Sequence, residues 1–158
     1  MSSRDAYLGI LESKRHRYED GGFTPSFMPD KLFDFQKSLV DWAIRKGRCA
    51  IFADCGLGKT AMQLAWSENV SRHTNGRVLV ITPLGVASQC VHEGEKFGIE
   101  VSRSNDGTLP SHIIVTNYER LHYFDPSDFV GVVCDESSIL KNADGATRAA
   151  VTDFMRKM

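Results

Sequence analysis

The sequence predicts an α/β domain built on a mostly parallel sheet with helices on both faces. Three observations carry that reading. The runs "RVLVITP", "HIIVTN" and "VGVVCDE" are near-continuously apolar, as strands buried on both faces are. Stretches with helical spacing separate them. The glycine-rich "ADCGLGKT" and the acidic "DESS" both fall at the carboxyl end of a strand, where sheets of this kind bind ligands.

The elements follow in order. Residues 5–18 read as a helix, with Leu8, Ile10 and Leu11 apolar and the basic "SKRHR" forming a solvated face. Two glycines and two prolines make "DGGFTPSFMPD" a loop. Leu32, Phe35, Leu39, Trp42 and Ala43 recur at helical spacing, giving an amphipathic helix to about Lys46. "CAIFAD" is a β-type run that leads into the glycine-rich turn. "KTAMQLAWSENV" follows as a helix with Ala61, Leu64 and Ala65 on one face. "RVLVITP" is a strand stopped by Pro83, "LGVASQCVHEGEKFG" a helix, "IEVS" a short strand, and "HIIVTN" and "VGVVCDE" two more. "ATRAAVTDFMRKM" is again helical.

A chain of 158 residues suits one domain with its own core. With 19 basic against 20 acidic residues the net charge is -1, so bulk charge gives no argument for nucleic-acid binding and any basic surface has to be local. No apolar run approaches the roughly 20 residues that span a bilayer, and the amino terminus lacks the apolar segment of a secretory signal. The expectation is a cytoplasmic protein with no membrane partner. Cys49, Cys55, Cys90 and Cys134 form no C-x-x-C pair, and three of them sit in or beside apolar runs, which predicts buried free thiols. The histidines lack metal-ligand spacing.

Two motifs carry chemistry. A strand, a glycine-rich turn and a helix start together form an anion site, because backbone N–H groups converge there and the helix dipole adds partial positive charge. Gly56 and Gly58 allow close approach and left-handed backbone, with Cys55 and Leu57 completing the turn. Lys59 reaches β- and γ-phosphates as a point charge, and the Thr60 hydroxyl completes a Mg²⁺ shell. Asp135 and Glu136 lie just past a buried strand, where carboxylates are costly unless paired, hydrated or metal-bound. Asp135 is the candidate Mg²⁺ ligand, and Glu136 the candidate base that orients and deprotonates an attacking water. A plain turn before a helix, and an acidic pair capping a helix, are the bland alternatives.

"ADCGLGKT" resembles motif I of superfamily-2 helicases, A-x-x-G-x-G-K-T, and "DESS" resembles their Asp-Glu-Ala-His or Asp-Glu-Ala-Asp box. "ILKN" looks like the segment after that box in the chromatin-remodeller-like branch, which includes many bacterial and phage proteins. "LFDFQ" is similar to the segment upstream of motif I whose glutamine reads adenine, a role that falls on Gln36. "VLVITP" and "IIVTNYERL" resemble motifs Ia and Ib, which implies that Thr82, Pro83, Thr116 and Asn117 lie near a nucleic-acid backbone; capping of the next helix is their other reading. The match spans roughly Leu32 to Asn142.

Ser137 and Ser138 depart from the box, which puts its coupling of hydrolysis to nucleic-acid binding in question. No motif III follows Asn142, nor does anything resembling the second motor lobe that supplies arginine fingers. The resemblance thus implies a RecA-like P-loop domain over residues 32–158, incomplete at its C-terminal end, after an extension over residues 1–31. It implies ATP and Mg²⁺ as cofactors and DNA, rather than RNA, as partner together with a second RecA-like lobe. Its function is that of the ATP-binding first motor lobe of a DNA helicase or double-strand DNA translocase. ATP hydrolysis is expected of the complete protein, and close to none from these 158 residues alone. A P-loop kinase or ATPase of another class, and a nucleotide-binding interaction module without turnover, are the alternatives.

Overall fold

Strands form where the apolar runs lie. The computed structural model describes residues 21–136 and 145–158; the helix expected at residues 5–18, Ser137, Ser138 and the "ILKN" segment lie outside the described residues. Four strands, β1 (Arg77–Thr82), β2 (Val101–Arg103), β3 (Ile113–Asn117) and β4 (Phe129–Cys134), form an all-parallel sheet in the order β2-β3-β1-β4. Val80 faces Val115 on one side and Val133 on the other, so β1 lies inside the sheet. This is the predicted α/β class.

Alternation along the strands divides the core. Leu79, Ile81 and Ile114 point to one face, with Phe129 and with Val151 and Phe154 of helix α4 (Gly145–Lys157). Val80, Ile113 and Val115 point to the other, against Leu64 of α2 (Lys59–Thr74) and Cys90 of α3 (Ala87–Phe97). Helix α1 (Asp34–Lys46) packs outside α2, burying Val40 and Ile44 against Ala61, Met62 and Ala65. Of the expected face Leu32 and Ala43 are buried and Leu39 is half-buried, whereas Phe35 and Trp42 are exposed and Gln36, Val40 and Ile44 complete the buried stripe. Both stripes have helical spacing, and packing on α2 selects the aliphatic one.

The loop before α1 is fastened to the domain. Gly22 and Phe23 donate their N–H groups to the carbonyls of Arg45 and Ile44, satisfying acceptors that the end of a helix leaves open. Asn69, fully buried on α2, accepts from Ser26 N and Phe27 N and donates to the carbonyls of Phe27 and Ala65.

One expected strand is absent. Residues 49–54, "CAIFAD", join no ladder; Ile51 is half-buried and Phe52 is 91% exposed. A β-type run becomes a strand only beside a partner, and β4 pairs only with β1 among the described residues. The same segment corrects the cysteine reading: Cys90 is buried and Cys134 half-buried, but Cys49 and Cys55 are exposed, and all four are free thiols.

Candidate nucleotide site

The glycine-rich turn begins at Asp54, whose carbonyl accepts the Leu57 N–H at 3.4 Å. Gly56 at φ 82° and Gly58 at φ 72° hold left-handed backbone, which favours residues without a Cβ. Helix α2 starts at Lys59, and its first turn contains no acidic side chain. The unsatisfied N–H groups of that turn therefore face an exposed loop with no carboxylate of their own helix end to compete for them.

Two side chains fix the turn from inside. Gln36, 5% exposed, donates Nε2 to the Leu57 carbonyl at 2.9 Å and accepts the Phe33 N–H through Oε1 at 2.9 Å. Both polar ends of the predicted adenine reader are thus engaged within the protein, one of them on the phosphate-type loop. Lys59 Nζ donates to the carbonyls of Ala53 at 2.9 Å and Asp54 at 3.5 Å. Cys55, Gly56 and Leu57 are exposed, while Gly58, Lys59 and Thr60 are half-buried.

The acidic pair lies at the carboxyl end of β4. Asp135 is buried at 8% exposure and its main chain is held on both sides: its N–H donates to the Ile81 carbonyl at 2.8 Å, and its carbonyl accepts the Tyr118 hydroxyl at 2.6 Å. Burial, reinforced by the neighbouring Cys134 and by the negative charges of Asp135 and Glu136, pushes the Tyr118 hydroxyl well above its usual pKa, so it remains a donor. The Asp135 carboxylate accepts Nε2 of Gln63 at 2.7 Å. Gln63 stands three residues past Thr60 on α2, so this bond brings Asp135 against the helix that the glycine-rich turn begins. Glu136 is exposed and sits at φ 51°, an uncommon backbone for a residue with a side chain.

The structure thus brings the turn, Lys59, Thr60 and Asp135 to one end of the sheet. The four residues expected near a nucleic-acid backbone lie at the ends of β1 and β3. Thr82 and Thr116 are fully buried and Asn117 is 2% exposed; Thr82 Oγ1 donates to the Thr116 carbonyl at 3.2 Å. Pro83 is half-buried, and the surface beside it is formed by Leu84, 72% exposed, and Gly85. Gln63 and Tyr118 were not identified from the sequence. The one signal for Gln63 was its spacing, one helical turn beyond the Lys59–Thr60 pair.

The donor set fits a nucleotide phosphate with a divalent cation. A Cβ built at Gly56 meets nothing within 4 Å, so the loop backbone is open to a ligand. Among the described residues the Thr60 hydroxyl makes no hydrogen bond, and Gln63 Oε1 is buried without a partner beside Asp135. Hydroxyl and carboxylate oxygens are the hard donors that Mg²⁺ takes.

No family model matches the chain. An SWI2/SNF2 ATPase core from Sulfolobus solfataricus, solved in complex with dsDNA, superposes with a TM-score of 0.65 and 26% identity, over 82% of this chain and 31% of that one. The chain is superfamily-2 helicase-like. The mouse DNA annealing helicase and endonuclease ZRANB3 is 24% identical over 169 residues, 95% of this chain and 15% of the relative. The UvsW helicase from bacteriophage T4 shares the fold, with a TM-score of 0.66 and 12% identity over 90% of this chain and 55% of that one. The chain therefore spans only part of each of these proteins. No helix among the described residues is long and apolar enough to cross a membrane.

Proposed function

We propose that residues 32–158 are the ATP-binding first motor lobe of an ATP-dependent DNA helicase or double-strand DNA translocase, with residues 1–31 as an extension. The observation that carries this reading is the convergence of the glycine-rich turn and Asp135 at one end of a parallel sheet, joined through Gln63. The likeness to a DNA-bound SWI2/SNF2 core supports DNA as the track.

In this reading the N–H groups of Gly56, Leu57 and Gly58 surround the β-phosphate at the start of α2. Lys59 would exchange the Ala53 carbonyl, a neutral acceptor, for the charged phosphates. Thr60 and Asp135 would hold Mg²⁺, whose charge would offset that of the phosphates. Glu136 takes a proton from the attacking water. Thr82, Pro83, Thr116 and Asn117 belong to the segments nearest the DNA backbone; given the burial of three of them, main chain and the exposed Leu84 and Gly85 make the contact. Turnover and stepping belong to the complete motor with its second lobe.

The test is calorimetry of Mg·ADP and Mg·ATP on the wild type and on Lys59→Ala. Loss of a charge-assisted contact weakens binding by about tenfold or more. Equal affinities for the two proteins overturn the assignment.

A further inference from the structure

Gln63 is placed where no recognised motif position assigns a role. It shares a face of α2 with Lys59 and Thr60, four and three residues before it. Its amide has one orientation that suits Asp135: an ionised carboxylate only accepts, so the NH₂ group must face it, and Nε2 lies 2.7 Å from Oδ1. The same orientation leaves Oε1 without a bond to Asp135. That oxygen is buried and accepts no hydrogen bond among the described residues. A buried acceptor without a donor is destabilising, and methionine or leucine would fill the same space without that penalty. The pairing with Asp135 explains one end of the side chain, and the other end is an acceptor that a water can fill.

We propose that Gln63 is a positioning residue for the nucleotide's divalent cation: its NH₂ group holds the Asp135 carboxylate in place, and its Oε1 accepts a hydrogen bond from a water in the cation's shell. Mg²⁺ keeps several of its waters when protein carboxylates bind it, and those waters are strong donors. An oriented carboxylate with an unfilled acceptor beside it matches that shell. Gln63 thereby links the helix that carries the phosphate-type loop to the acidic strand end. The inference rests on the nucleotide-binding reading above.

The test compares the wild type with Gln63→Met and Gln63→Leu. Affinity for ADP is measured by calorimetry with excess Mg²⁺ and again with EDTA, together with the thermal midpoint of each ligand-free protein. The expected result is unchanged ADP affinity in EDTA and a loss of about tenfold in the Mg²⁺ enhancement, the size of one hydrogen bond to a charged group. The midpoint of at least one variant stays at or above that of the wild type, because a buried orphan oxygen has been removed. If wild type binds ADP with a Mg²⁺ enhancement that both variants keep, the inference is overturned and the nucleotide reading stands. A lower midpoint with the full Mg²⁺ enhancement assigns Gln63 to packing and overturns it too. Wild type that binds ADP under neither condition overturns the nucleotide reading and this inference with it.

Discussion

Gly58→Ala tests how the phosphate-type loop is held. Gly58 lies at φ 72°, where an alanine costs about 1–2 kcal/mol relative to ordinary backbone. Its new Cβ would also land on Nε2 of Gln36. Gln36 is 5% exposed and has no room to yield without leaving the Leu57 carbonyl and the Phe33 N–H, each a hydrogen bond of about 1 kcal/mol. The sum is about 3–4 kcal/mol, a large share of a domain's usual stability. Urea unfolding at constant m-value measures it, and the thermal midpoint should fall by about 6–16 °C. The mechanism is separated from bulk destabilisation by a second background. In Gln36→Ala the clash is gone, so Gly58→Ala should cost only the backbone strain, leaving a coupling of about 2 kcal/mol. Additivity of the two substitutions within about 0.5 kcal/mol would refute the steric argument.

Two further predictions address the frame around the site. Asn69→Leu removes the partners of Ser26 N, Phe27 N and the Phe27 carbonyl at similar volume, and should cost about 3 kcal/mol in urea unfolding; a loss below about 1 kcal/mol would show that water replaces the clamp. Burial, with the charges of Asp135 and Glu93 adding to it, pushes the Cys90 thiol up to about 12. Because its folded pKa is raised above the unfolded value of 9.0, its contribution is whole below pH 9 and is lost as pH rises toward 12. The stability of wild type should therefore fall over that window more steeply than that of Cys90→Ala, and parallel curves would show that the thiol ionises freely in the fold.

What the sequence made legible, and what it hid, divides along physical lines. Strands β1 and β3 are buried on both faces, and β4 is partly buried with Val130 exposed, so their apolar runs announce them without knowledge of any partner. The "CAIFAD" run has the same local character, yet a strand is a property of two segments and this one has no neighbour in the ladder. The turn around Gly56 and Gly58 was readable because its backbone favours glycine at those positions. Gln63 and Tyr118 were not, since a polar residue in a helix and a tyrosine after a strand have many uses. Only the tertiary fold brings the first to the Asp135 carboxylate and the second to its carbonyl.

These bonds explain how the acidic strand end keeps its shape. Glu136 at φ 51° holds a conformation that costs free energy for a residue with a side chain, and such backbone persists only where its surroundings over-determine it. The surroundings do so one residue earlier. Asp135 is fixed at its N–H by the Ile81 carbonyl, at its own carbonyl by the Tyr118 hydroxyl and at its carboxylate by Gln63. The carbonyl of Asp135 belongs to the peptide that leads into Glu136, so the Tyr118 bond orients the very unit whose rotation would relax the strain. The anchors come from β1, from the segment following β3 and from α2, three separate parts of the chain. An acidic pair on a free loop would relax to ordinary backbone. Here the first carboxylate is buried and oriented, while the second residue is exposed at the carboxyl end of the sheet.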